Sequence, residues 1–235
     1  MFVLKKEMPP QKIVNQDFFK HWSSEMAYVL GFFTADGNLN FNERGAYYLE
    51  FNTADRGLLA DIKNILGSDH KLSDRKRGAN FRRNYRLQIG SKTMFEDLLD
   101  LGITPRKSKT IRLPDIPHKY FRHFTRGYFD GDGNVTIGHY IRANRNNKKS
   151  TTLLSGFISG SEIFLKELHQ KLKEVGSVKG GTLYYHDGGY RLYFSVNDSY
   201  ALYRFMYQRG VSSLYLDRKR KTFEKYFKIT QSTCR

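Results

Sequence analysis

The feature that most constrains this chain is that its pattern of residues occurs twice. Gly31–Asn38 (GFFTADGN) returns as Gly127–Asn134 (GYFDGDGN), an offset of 96. Phe51, Leu58 and Leu59 are matched by Phe157, Phe164 and Leu165 at an offset of 106, and Tyr85-Arg86-Leu87 by Tyr190-Arg191-Leu192 at 105. Arg106-Lys107 finds a looser match in Arg218-Lys219. The offset widens because the second copy carries an extra basic stretch from Tyr140 to Ser150. The same elements in the same order are a duplication, so the fold must be buildable from two copies of one unit.

Each unit reads as helix, strand, strand, helix, strand region, helix. The first helix opens at Ser23-Ser24, good N-cap residues, and stops at Asp36-Gly37. Its counterpart follows Asp115 and Pro117 and places Tyr120, Phe124, Gly127 and Tyr128 on one face. After each Asp-Gly the chain alternates. Asn38, Asn40 and Asn42 interleave with Leu39 and Phe41, and Asn134 and Thr136 with Val135 and Ile137. Tyr47, Leu49 and Phe51 alternate with Tyr48 and Glu50, and Tyr85, Leu87 and Ile89 with Arg86 and Gln88. Tyr190, Leu192, Phe194 and Val196 alternate with Arg191, Tyr193 and Ser195. A period of two predicts antiparallel strands with one buried and one wet face. The expected layout is an arm over 1–20, units at 21–104 and 118–230, a proline-bearing linker at 105–117 and a tail at 231–235.

Forty Lys and Arg stand against 23 Asp and Glu, a formal net charge of +17 at pH 7. Such an excess costs self-repulsion, and a polyanionic partner is its natural reason; nucleic acid comes first. The basic residues do not line one face of an amphipathic helix, which argues against a membrane surface. No apolar run approaches the length of a membrane span, and the N-terminus is too weakly apolar for a secretory signal. The single cysteine, Cys234, excludes a disulfide framework and suits an intracellular reducing compartment. The seven histidines show no ligand spacing, so zinc is not expected.

The helix that ends in each Asp-Gly carries Ala27, Gly31 and Ala35 in one copy and His123, Gly127 and Gly131 in the other. Small residues four apart let two helix backbones approach closely. If these helices pack about a pseudo-dyad, Asp36 and Asp132 meet where both helix C-termini already carry partial negative charge. Divalent cations relieve that conflict, because hard ions favour carboxylate oxygen. A calcium loop starting at Asp130 fails at its sixth and twelfth positions, Val135 and Ile141. The start Phe129-Asp130-Gly131-Asp132-Gly133 is similar to that of aspartyl phosphatases, but it ends an amphipathic helix and no βαβ alternation follows.

The segments Val29–Gly37 (VLGFFTADG) and Thr125–Gly133 (TRGYFDGDG) resemble the paired signature of LAGLIDADG homing endonucleases, and the order of elements extends the resemblance over most of the chain. The chain departs from the signature at Thr125 and Arg126 and has Thr34 in place of the first aspartate. The resemblance implies an α+β fold of two pseudo-symmetric αββαββα repeats, with Gly31, Ala35, Gly127 and Gly131 at the helix interface and two saddle-shaped antiparallel sheets gripping DNA. It implies metal at Asp36 and Asp132 with the backbone of Ala35 and Gly131, one basic residue per half in catalysis (Lys107 and Lys219), and Gln88 and Thr53 as weaker supporting candidates. The wet strand faces and basic loops then offer Asn38, Asn40, Asn42, Arg75, Arg77, Arg82, Arg86, Gln88, Asn134, Thr136, Arg142, Arg191, Tyr193 and Ser195 to DNA.

The activity so implied is double-strand cleavage of a long, roughly pseudo-palindromic site by a monomer, leaving short 3′ overhangs and promoting mobility of an intron or other element. Mg²⁺ is the expected cofactor, Mn²⁺ an expected substitute, and Ca²⁺ is expected to support binding without cleavage. The alternative is a non-cleaving binder on the same scaffold, an intron-RNA maturase or a transcription regulator. The chain neither opens with Cys or Ser nor ends in His-Asn, so it is expected to be free-standing rather than an excised intein.

Overall fold

The computed structural model describes residues 12–75, 83–142, 147–207 and 214–233. The first half runs α1 (Ser24–Asp36), β1 (Gly37–Phe41), β2 (Tyr47–Thr53), α2 (Arg56–Ile65), β3 (Leu72–Arg75), β4 (Asn84–Gly90) and α3 (Lys92–Asp100). The second repeats it as α4 (His118–Asp132), β5 (Gly133–Arg142), β6 (Lys148–Ser159), α5 (Glu162–Val175), β7 (Thr182–His186), β8 (Gly189–Phe194) and α6 (Val196–Tyr207), then adds α7 (Asp217–Thr233). Each half holds one four-stranded antiparallel sheet, ordered β1-β2-β4-β3 and β5-β6-β8-β7. The architecture is α+β with two αββαββα repeats, as the duplication and alternation predict.

Register follows polarity. Asn38 pairs with Glu50, Glu50 with Gln88, and Asn52 with Arg86, so these side chains share one face. Leu39, Leu49, Phe51, Leu87 and Ile89 take the other face and are buried. In the second sheet Leu153, Phe157, Leu192 and Phe194 are buried, beneath Phe164, Leu165, Leu168 and Leu172 of α5. A one-residue slip would exchange these faces, so burial pins the register.

Helix α1 starts where Ser23 Oγ accepts from the amide of Met26 at 3.0 Å. Every residue from Met26 to Thr34 is buried, because this helix lies in the middle of the molecule rather than on a surface. Its partner is α4, and the two approach backbone to backbone. A Cβ on Gly31 would stand 2.1 Å from the carbonyl oxygen of Phe124 and 2.9 Å from the nitrogen of Tyr128. One on Gly127 would stand 2.0 Å from the carbonyl oxygen of Tyr28 and 2.9 Å from the nitrogen of Phe32. Tyr28, Gly31 and Phe32 match Phe124, Gly127 and Tyr128 at the same offset of 96, so this is one contact made twice about a pseudo-dyad. One turn further on, a Cβ on Gly131 would meet the Cβ of Ala35 at 2.4 Å.

Some expected boundaries move. The strand expected through Val196 ends at Phe194, because Ser195 opens α6 with its carbonyl accepting from Ser199 at 2.8 Å. Asn42, expected on the wet strand face, lies past β1, where its Oδ1 accepts from the amides of Arg44 and Ala46 at 3.0 and 2.9 Å and closes the hairpin turn. Residues 12–20 of the expected arm are fastened to the first repeat, with Val14 and Phe19 buried and the amide of Asn15 donating to Leu66 at 2.9 Å. The 105–117 segment is likewise docked: Ile111 and Ile116 are buried, Ser161 Oγ donates to the carbonyl of Ile111 at 2.7 Å, and Glu167 accepts from the amide of Leu113 at 2.9 Å.

The reciprocal glycine contact predicts two outcomes in chemical denaturation. Gly131→Ala should cost about 1–3 kcal/mol by overpacking against Ala35, and adding Ala35→Gly should restore most of the loss. Gly127→Ala should cost at least as much and resist side-chain rescue, since it strikes backbone. Equal tolerance of both substitutions would contradict this packing.

Candidate metal centre and polar sheet surface

The C-termini of α1 and α4 bring Asp36 and Asp132 together. A Cβ on Gly131 would lie 3.2 Å from Asp36 Oδ2, so the carboxylate of one repeat reaches the backbone of the other. Burial, then the neighbouring Asp132 charge, pushes the Asp36 carboxyl up to about 7. Burial raises Asp132 as well, with Lys219 and Lys107 opposing the rise. Two acids set at negative helix ends are held away from water and against each other.

Lys107 and Lys219 are both buried. Lys107 Nζ donates to the carbonyl of Gly37, just past α1, and lies 5.7 Å from the Phe33 ring centre. Lys219 Nζ donates to the carbonyls of Phe129 and Gly133 at 2.6 Å each, of Asp130 at 2.9 Å and of Gly131 at 3.2 Å, and lies 5.3 Å from the Phe129 ring centre. Each ammonium thus caps the helix that carries its own repeat's acid, where a cation is favoured. Burial lowers both lysines to about 8, although both acids attract them.

Three participants carry no signal in the periodicity. Arg126 is fully buried; its guanidinium donates to the carbonyls of Leu214 at 3.0 Å and Met206 at 2.9 Å and sits 5.4 Å from the Tyr28 ring centre. Asp130 Oδ2 accepts from Tyr28 OH at 2.6 Å and from the amide of Leu216 at 2.8 Å, and burial pushes this carboxyl up to about 6. Its counterpart Thr34 only returns a hydrogen bond to Leu30 at 2.8 Å. Glu50 is the third: a buried carboxylate on the polar sheet face, 3.3 Å from Arg86 and accepting from Asn52 at 3.1 Å.

On the first sheet Asn38 and Asn40 are exposed, and Arg86 and Gln88 are half-buried on the same face. On the second, Thr136 is exposed, Asn134 and Arg191 are half-buried, and Tyr193 stacks on Tyr184 at 6.2 Å. The Oδ1 of Asn134 is enclosed without a hydrogen-bond partner. Ser195 has left this sheet for the start of α6, and Asn42 has left the first for its turn. Thr53 Oγ1 accepts from the amide of Asp55 at 3.2 Å, a local turn bond. Arg77 and Arg82 lie outside the described residues; Arg75 and Arg142 close β3 and β5, with side chains outside the described part of the structure.

Residues 23–101 match the model of the LAGLIDADG-like domain. Among solved structures, the chain superimposes on the LAGLIDADG meganuclease I-AabMI bound to uncleaved DNA with a TM-score of 0.61 and 13% identity, covering 90% of this chain and 91% of that one. It superimposes on I-SmaMI, bound to an uncleaved DNA target in the presence of calcium ions, with a TM-score of 0.60, 12% identity and 91% and 93% coverage. The chain has the LAGLIDADG homing-endonuclease fold. The matched residues take in α1, and α4 is its counterpart in the second repeat. An uncharacterised protein of Methanocaldococcus jannaschii is 25% identical over 179 residues, which are 72% of this chain and 61% of that relative.

The charges at the ends of α1 and α4 set a pH dependence of stability. Asp36 and Asp130 stay protonated in the folded chain where the unfolded chain, near 3.8, has lost its protons, so stability falls as pH rises from about 4 through 7. His123, lowered to about 4 by burial and by Arg126, works the other way up to 6.5 and subtracts from that fall. Lys107 and Lys219 are deprotonated in the folded chain above about 8 but in the unfolded chain only near 10.5, so stability recovers across that window. Denaturant midpoints in EDTA should be lowest between pH 7 and 8, and Asp36→Asn should make that minimum shallower by roughly 1–2 kcal/mol. A wild-type maximum at pH 7.5 would contradict these electrostatics.

Proposed function

We propose that the chain is a site-specific DNA endonuclease of the homing type, hydrolysing one phosphodiester bond on each strand with divalent metal at Asp36 and Asp132. The observation that carries this reading is the acid pair itself, both carboxyls raised by burial and Asp36 further by the charge of Asp132, with one buried lysine from each repeat beside it. A structural carboxylate is ordinarily stabilised in its charged form; these are not.

The residues present fit a divalent cation. Among the described residues no group of three or more His, Cys, Asp and Glu assembles, so the chain supplies two carboxylates and nearby carbonyls, Ala35 and Gly131 among the candidates. Mg²⁺ is held in that way, by one or two carboxylates together with waters and phosphate oxygens. A cation there supplies Lewis acidity toward the scissile phosphate and makes water a better nucleophile at neutral pH. Mg²⁺ serves in this reading, Mn²⁺ replaces it, and Ca²⁺ supports binding alone.

The chain's own groups do the rest. Lys107 and Lys219 place positive charge where the phosphate gains negative charge, and a value near 8 lets either release or take a proton close to neutrality. In this reading each strand meets one acid and one lysine related by the pseudo-dyad, and the product is a double-strand break with short 3′ overhangs. The polar faces bearing Asn38, Asn40, Arg86, Gln88, Asn134, Thr136, Arg191 and Tyr193 read a long, roughly pseudo-palindromic site through base edges in the major groove. The net charge of +17 supplies phosphate attraction. The protein acts as a monomer because one chain holds both repeats, and its cuts promote mobility of its intron or host element. Binding without cleavage, to DNA or to intron RNA, is the second reading; the retained acids and lysines favour the first.

A selection on randomised duplexes with Mg²⁺ should return a linearised site, bound but uncut with Ca²⁺ or EDTA. Asp36→Asn and Asp132→Asn should abolish cutting and leave affinity within a few-fold. Lys107→Met and Lys219→Met should each slow cleavage about 10²–10⁴-fold. Binding of a specific site without cleavage by the wild-type protein in either Mg²⁺ or Mn²⁺ would establish the non-cleaving reading instead.

A further inference from the structure

Repeat one closes the corner between α1, α2 and α3 with the segment that leads into α1. The amide of Asn15 donates to Leu66 at 2.9 Å, Ser91 Oγ donates to Gln16, Phe19 is buried, and Lys20 and Asp97 attract each other across the corner. The matching corner of repeat two, between α4, α5 and α6, is an open cleft of about 680 Å³. Repeat two cannot fill it in the same way, because the segment leading into α4 runs along the first half of α5, tied down at Ser161 and Glu167.

The two corners correspond residue by residue. Leu66-Gly67 after α2 become Gly176-Ser177 after α5, and Gly67 and Ser177 share a φ of 58°. The carbonyls of Ser91 and Ser195 each accept from the amide four residues on, Phe95 and Ser199, which sets an offset of 104. At that offset Glu96, Asp97 and Asp100 become Tyr200, Ala201 and Arg204. At the helix offset of 96, Ser23 and Met26 become Lys119 and Arg122. One acid of the first corner, Asp100, is exchanged for a cation, Arg204; the other two acids are lost, and two uncharged positions, Ser23 and Met26, become Lys119 and Arg122. No acidic residue is among the described residues that line the cleft. The duplication acts as an internal control: the fold is built once without these cations, so folding does not require them.

We propose that this cleft docks an acidic peptide segment of a partner protein, laid between α4, α5 and α6 as residues 13–20 lie between α1, α2 and α3. A peptide fits better than a nucleic acid strand because the equivalent site is filled by polypeptide, anchored by an aromatic side chain and a backbone bond at the end of α2. Tyr200 and Phe205 offer the matching aromatic wall, and Lys119, Arg122 and Arg204 a cationic rim, with Arg204 standing where repeat one has Asp100. The cleft sits at the start of α4, whose fifteen residues to Asp132 span about 21 Å, a helix length away from the acid pair.

The probe is a synthetic peptide of residues 12–22 carrying Lys12→Glu and Lys20→Glu, followed by fluorescence anisotropy against the full chain. It should bind at least tenfold more tightly than the unmodified peptide. Arg204→Asp, which installs the charge of repeat one, should weaken it at least tenfold, as should Lys119→Glu; Arg56→Asp on the exposed start of α2 changes the net charge equally and should not. Circular dichroism establishes that each variant is folded. Equal binding of both peptides, or equal losses in all three variants, would overturn the proposal. So would a short single-stranded oligonucleotide whose binding falls with Arg204→Asp while peptide binding does not, since that assigns the cleft to nucleic acid.

Discussion

Everything else in the molecule is arranged around one close approach, the backbone contact of α1 and α4 at Gly31 and Gly127. At that separation a single Cβ would overlap a carbonyl oxygen, so the two helices either meet through glycine or stand apart by the width of a side chain. Their meeting decides where the helix ends fall, and the helix ends decide where Asp36 and Asp132 fall. The sheets follow, because β1 and β5 begin at the residue after each acid. Placement thus passes from packing to charge to surface.

The same approach creates an electrostatic difficulty, which the chain meets from within. Two negative helix ends and two carboxylates converge, and each repeat answers with a lysine brought from a distant part of the chain. Lys219 satisfies four carbonyls at the end of α4, so part of its attraction is to backbone rather than to acid. The centre is therefore stable enough to form while its negative charge is only partly offset. The second half is also more heavily braced than the first: Arg126 and Asp130 tie α4 to the segment before α7, whereas Thr34 ties α1 only to itself.

Much of this was legible in the sequence because it rests on short periods. The offset of 96 between the Asp-Gly pairs located both central helices, and alternation located the sheet faces to within a residue or two. It misled at Asn42 and Ser195, where a turn and a helix start continue the polar alternation for one residue after the strand has ended. Lys107 and Lys219 were reached through a weak repeat match and fell beside the acids, a proximity no local pattern encodes. The buried roles of Arg126, Asp130 and Glu50 are not legible in the sequence, because charged residues ordinarily mark solvent. Their partners are the carbonyls of Met206 and Leu214, an amide at Leu216 and a strand neighbour, none of which leaves a mark in local sequence.

The glycine contact carries a consequence for both copies. Because each half supplies the hollow into which the other's backbone fits, a side chain added to either glycine would strike the opposite copy, so the two positions are bound together. Gly131 and Ala35 show the limit of that constraint: the dyad admits one methyl group there, and the first copy carries it. Away from the axis no such bargain binds the halves, and there one copy holds Asp100 where the other holds Arg204.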